Sequence, residues 1–188
     1  MSDELLVELH LLSHQKQFKT NALFAVGLHT VFKAFTQGYR PESHTIALFD
    51  ALCSSNGFDA ESLRNQAQAT LDEAKQHSDQ DDSEAWLSQF RLDDDSHYSR
   101  LMGIGVFSLL EASQSDAGNT QASDLKDDAT GLAERLNISA ARLEKDITLY
   151  LSSRERLEQA VELMEETLAS DRRKREQRQA EATQGSSK

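Results

Sequence analysis

Near the C-terminal end of the chain the apolar residues step by four and three without a break. From Leu143 the positions run Leu143, Ile147, Tyr150, Arg154, Leu157, Val161, Met164, Leu168, and seven of these eight are apolar or aromatic. That spacing is the heptad seam of an α-helix that packs along one stripe; a strand would alternate its faces every second residue. Ser139 stands where an N-cap belongs, with Ile138 and Leu143 in the positions of a hydrophobic staple. After Leu168 the only apolar residues are alanines. The helix is therefore expected to run past its core contacts over residues 138–182, ahead of a disordered tail at 183–188.

The rest of the chain carries the same period. With one proline and 6% aromatic residues in 188, composition favours helix over sheet, and no segment of four or more residues alternates cleanly. A first helix is expected from about Asp3 to Gln17 on the stripe Leu5, Leu9, Leu12. A second starts from Asn21 as N-cap and buries Phe24, Leu28, Val31 and Phe35. Gly38 and Pro41 in GYRPE stop it. A third helix carries Ile46, Phe49, Leu52 and Cys53, and Asp59 caps a fourth with Leu63, Ala67 and Leu71 in line. Residues 78–95 hold seven acidic side chains and one arginine around Trp86, Leu87 and Phe90, a short helix between solvated loops. Ser96 is expected to open HYSRLMGIGVFSLLEA, whose small residues at Gly103 and Gly105 suit close helix packing rather than phosphate binding. Residues 113–123 read as a polar linker, followed by a short helix with Leu125, Leu132 and Leu136. The expected fold is all-α: a helical bundle over 1–137 and a long coiled-coil-like C-terminal helix.

Charge narrows the function. The net charge is −12, yet residues 171–178 (DRRKREQR) hold five basic and two acidic side chains, and Glu181 and Lys188 cancel. Residues 1–170 therefore carry −15, which repels phosphate and anionic lipid within a screening length. Only the tip, Arg172, Arg173, Lys174 and Arg175, is a candidate contact for an acidic partner or an anionic membrane surface. The alternative, nucleic acid at the same tip, is disfavoured by the acidic remainder. No run approaches the roughly 20 apolar residues that span a bilayer, and MSDELLVELH lacks the basic start of a signal or transit peptide.

Catalytic patterns are missing at the level of motif. His10 and His14 are spaced i, i+4 on one face, but a zinc hydrolase needs HExxH and here Leu11 follows the first histidine. The remaining histidines have no ligand spacing. Cys53, the single cysteine, excludes an internal disulfide, fits a reducing compartment, and sits on an apolar face as a small buried thiol. No GxSxG elbow or phosphate loop occurs, and the acidic runs at 79–84 and 93–95 lack the glycine and ligand spacing of a calcium loop. No enzyme activity, metal or cofactor is expected.

Residue strings go further than pattern. DELLVELHLLS (3–13), FAVGL (24–28), QGYRPE (37–42), ALFDALC (47–53), YSRLMGIGVFSLLE (98–111) and the segment 143–176 together resemble the thylakoid formation protein family. The family carries Asp-Pro where Asn21-Ala22 stands here, Asp-Arg where Lys33-Ala34 stands, and a further N-terminal segment before DELLVEL that this chain is expected to lack. The resemblance implies an all-α, non-enzymatic accessory protein of photosystem II biogenesis and repair. It implies peripheral attachment to the thylakoid and action with FtsH-type membrane proteases and photosystem II assembly components. With no transit peptide, a cyanobacterial protein on the cytoplasmic side of the membrane is expected.

Overall fold

Asn21 starts the helix around which the body is organised. Its backbone is extended, and its Oδ1 accepts the Phe24 N–H at 2.9 Å, satisfying one of the donors a helix start leaves open. The structure, a computed structural model, describes residues 2–77, 80–114 and 121–185. It is all-α, as expected from the sequence: α1 (Ser2–Ser13), α2 (Ala22–Phe35), α3 (Thr45–Ser54), α4 (Ala60–Ala74), α5 (Gln80–Leu87), α6 (Arg100–Ser113), α7 (Ala122–Gly131) and α8 (Ala140–Gly185). Short 3₁₀ turns, Glu42–His44 and Ser88–Phe90, precede α3 and follow α5. No strand occurs among the described residues. Two compact units divide inside α8, Met1–Ser153 and Arg154–Lys188.

In the first unit α2 and α6 are the centre. Leu23 to Leu28 and Leu101 to Leu110 are unbroken runs of buried residues, and a helix apolar all round belongs inside. The two cross face to face with a glycine from each at the contact. A methyl group on Gly27 would overlap the Leu101 carbonyl oxygen, and one on Gly105 would overlap that of Leu23. The close-packing role read for the GIG segment is thus met, with Gly27 as its counterpart. α4 packs on both central helices, α3 lies on α4, and α5 and α7 lie on α6. Each core Leu, Val or Phe removed from water contributes roughly 1.5–3 kcal/mol.

The outer elements follow their caps and stripes. Leu5, Leu9 and Leu12 of α1 are buried, although the helix ends at Ser13 rather than Gln17. Asp59 caps α4, its Oδ1 accepting the Ser62 N–H at 3.0 Å. Phe49 and Cys53 hold α3 in the core, but Ile46 is exposed; at the second residue of a ten-residue helix it lies before the packed turns. Ser99, not Ser96, is the cap of α6, its Oγ accepting the Leu101 N–H at 3.1 Å. Leu132 and Leu136 lie in the turns after α7 and are nonetheless buried.

The acidic stretch is more ordered than its composition implies. Leu87 and Leu92 are buried, and the Leu92 N–H donates to the Leu136 carbonyl at 3.0 Å. Asn137, in the left-handed region at φ 57, donates from Nδ2 to the Leu92 carbonyl and to Asp94 Oδ1. Asparagine tolerates that backbone because its short amide can bond locally. Of the linker at 113–123, residues 115–120 lie outside the described residues, as do 78–79 of the acidic stretch and 186–188 of the tail.

At the start of α8 the Leu143 N–H donates to the Ser139 carbonyl at 2.9 Å, and Ile138 and Leu143 are both buried. Leu143, Ile147 and Tyr150 of the seam belong to the core. In the second unit, no seam position from Arg154 to Leu168 is fully buried.

Because backbone rather than flexible side chain opposes both glycines, Gly105→Ala should lower stability by about 1–3 kcal/mol, the range for overpacking. The variant should still be helical, with a depressed melting temperature by circular dichroism.

Candidate functional site

Arg172, Arg173, Lys174 and Arg175 lie on α8 in the second unit and are all exposed. Consecutive residues of a helix point about 100° apart, so these four side chains form a cationic collar around the helix rather than a stripe along it. Such a collar suits diffuse attraction to an acidic surface. It does not present the convergent donors that read one shaped ligand.

The histidine pair is accounted for by local bonding. His10 and His14 stand with ring centroids 4.6 Å apart. His14 Nδ1 lies 2.9 Å from the His10 carbonyl oxygen and 3.0 Å from Ser13 Oγ. Among the described residues no three His, Cys, Asp or Glu side chains gather as a metal-binding group. Cys53 is fully buried, and burial first, then the neighbouring Asp50 carboxylate, pushes its thiol up to about 11, against a smaller opposing effect of Arg64. A thiol held protonated at neutral pH is a poor nucleophile.

One polar constellation was not legible from spacing. Glu8 of α1 accepts from Ser99 Oγ at 2.9 Å and from Arg100 Nε and Nη2 at 3.0 and 2.7 Å. Both guanidinium N–H groups converge on Glu8 Oε2 while Oε1 takes the serine; this charge-assisted contact ties α1 to the first turn of α6. Next to it the Tyr98 hydroxyl donates to Asp146 Oδ2 at 3.0 Å. Burial raises both: the Tyr98 phenol with help from the Asp146 charge, and the Asp146 carboxyl against the opposing Tyr98 hydrogen bond. Gly103 makes room here, since a Cβ would strike the Tyr98 hydroxyl.

Beside this pair runs an open groove of roughly 610 Å³, lined by Val7, Glu8, Leu11, Tyr98 and Arg100 among others. Val7 and Leu11 are 57% and 63% exposed. The signal for it was present: α1 carries Leu6, Val7 and Leu11 besides its buried stripe, more apolar residues than one face needs. The groove offers apolar surface beside the Arg100 guanidinium, which pairs with Glu8 at 2.7 Å and Glu4 at 3.8 Å.

These features belong to an all-α protein with an exposed apolar groove and a cationic collar, and with no transmembrane-length apolar helix among the described residues. The chain belongs to the thylakoid formation protein family, whose model matches residues 1–179. It is 56% identical over 184 residues to Protein Thf1 of Parasynechococcus marenigrum, covering 98% of this chain and 85% of that one. To Protein Thf1 of Trichormus variabilis it is 36% identical over 196 residues, covering 96% and 84%. A solved structure of Psb29 superposes with a TM-score of 0.72 at 27% identity, covering 93% of this chain and 86% of that one. The resemblance read from the sequence is therefore correct.

Two outcomes follow from the geometry. Glu8→Ala leaves the partly buried Arg100 guanidinium short of its main partner and should cost about 2 kcal/mol, measured by urea unfolding. For Cys53, a thiol raised in the folded state stabilises fully below the unfolded value of 9.0, and this contribution is lost as pH rises through about 11. The stability difference between wild type and Cys53→Ala should therefore shrink between pH 9 and 11, and Cys53 should react with a thiol reagent only on unfolding.

Proposed function

We propose that this chain is a non-enzymatic accessory protein of photosystem II biogenesis and repair. It sits peripherally on the cytoplasmic face of the cyanobacterial thylakoid and acts there with an FtsH-type membrane protease. The observation that carries the reading is membership of the thylakoid formation protein family over residues 1–179. The name of the solved relative, Psb29, supports the photosystem II assignment. Cyanobacterial relatives named Thf1 support the thylakoid setting.

The physical division of labour follows from the two units. The first, Met1–Ser153, is a packed helical body; the second carries the cationic collar on an exposed helix. In this reading Arg172, Arg173, Lys174 and Arg175 meet an acidic protein surface or anionic headgroups, while the −15 of residues 1–170 discourages general adhesion. Nucleic acid at the collar is the weaker reading for the same electrostatic reason, and it predicts a steep loss of binding to labelled DNA or RNA with added salt.

Replacing all four collar residues by glutamine should leave the helical signal and melting temperature unchanged. Each cation near an anionic surface is worth about 1 kcal/mol, so co-sedimentation with thylakoid membranes should fall at least about tenfold. Unchanged co-sedimentation removes the collar from the account.

A further inference from the structure

The bonding that holds His14 also prepares it for a further partner. Ser13 Oγ donates to the His10 carbonyl oxygen at 2.7 Å, so the one hydroxyl proton is committed there. His14 Nδ1 stands 2.9 Å from the same carbonyl oxygen and 3.0 Å from Ser13 Oγ. Both neighbours can only accept, so Nδ1 carries the proton, and in the neutral ring the lone pair lies on Nε2. A ring that donates from one nitrogen to a backbone carbonyl and keeps the other free is oriented as metal-binding histidines are.

His10 lies four residues earlier on the same edge of α1, and both histidines are exposed. Apart from its contact with the His14 ring, the His10 ring makes no hydrogen bond or ion pair among the described residues. The distance between the two rings suits one ion. A metal bound about 2.0–2.1 Å from a ring nitrogen stands roughly 3.2 Å from that ring's centre. Two rings in cis positions at about 90° then have centres about 4.5 Å apart, and at the tetrahedral angle about 5.2 Å. The His10 and His14 centroids are 4.6 Å apart, which matches the cis arrangement.

We propose that His10 and His14 form a two-histidine site for a divalent transition-metal ion of tetragonal preference, copper(II) ahead of nickel(II) and zinc(II). Imidazole suits all three ions, and the cis separation together with the Irving–Williams order puts copper first. Two protein ligands leave the remaining positions to water, so the ion is exchangeable. The site binds without hydrolysing: Leu11 stands where the glutamate of a zinc hydrolase would. The −15 of residues 1–170 favours a cation over the body as a whole, with Lys16 the opposing charge nearest in sequence.

Titration calorimetry of the full chain with the copper(II) complex of iminodiacetate tests the site. That complex leaves cis positions for a pair of imidazoles and holds its copper against single histidines. The wild type should take up one complex per chain. His10→Ala and His14→Ala should each weaken uptake at least about tenfold, whereas His44→Ala, exposed elsewhere on the body, should not change it. Binding should weaken on acidification, because only the neutral ring ligates. Electron paramagnetic resonance should show coupling to two imidazole nitrogens in the wild type and to fewer in each variant. Melting of every variant in chelator supplies its own baseline, so lost stability is not read as lost metal. No uptake, uptake unchanged in either variant, coupling to a single imidazole in the wild type, or tighter binding of the zinc(II) complex overturns the proposal. None of these results bears on the collar or on the family function.

Discussion

The contact between Gly27 and Gly105 sets the geometry of the body. It brings the α2 and α6 backbones close enough that each glycine Cα faces a carbonyl of the other helix. Because these two helices are then buried on nearly every side, the surrounding elements need only one apolar face each, and α1, α3, α4 and α7 have that. Gly103, two residues before the crossing glycine of α6, extends the same device outward. It admits the Tyr98 ring and the side chain of Leu143, so the beginning of α8 can settle on the core. Three missing side chains thus fix two successive layers, which hydrophobic pattern alone would leave free to slide.

Much of this was legible before any coordinates. Asn21 and Asp59 act as caps because their short side chains reach the open N–H groups of the helices that follow, and Leu5, Leu9 and Leu12 form a stripe because 3.6 residues make a turn. Where the reading and the structure part, tertiary context decided. Ser96 and Ser99 are equally good caps in isolation, but Ser99 is also bonded to Glu8, ninety-one residues away, and no local rule reports that. Ile46 has the right spacing for a core residue yet falls on the first turn of α3, before the helix meets α4. The acidic side chains at 93–95 are exposed, as their composition implies, but composition does not show that Asn137 folds back to bond the Leu92 carbonyl beside them.

The interaction surfaces divide the same way. The cationic collar is plain in DRRKREQR, since a charge run needs no fold to be seen, though its distribution around the helix follows only once the helix is established. The Val7 and Leu11 side of α1 was hidden by the assumption that its leucines form a single stripe. The heptad from Leu143 to Leu168 was visible as a seam. Which of its positions enter the core, Leu143, Ile147 and Tyr150, follows only from the structure.

The function proposed for this chain is that it works by contact, as an accessory to a membrane protease, and not by chemistry of its own. Affinity capture from detergent-solubilised cyanobacterial thylakoids, with the whole chain as bait and mass spectrometry as readout, tests it most directly. The account predicts FtsH subunits enriched over a control bait in which the order of residues 171–178 is scrambled and the collar broken up. Recovery of no FtsH subunit above an unrelated helical bait, under conditions in which the protease complex stays intact, would contradict it.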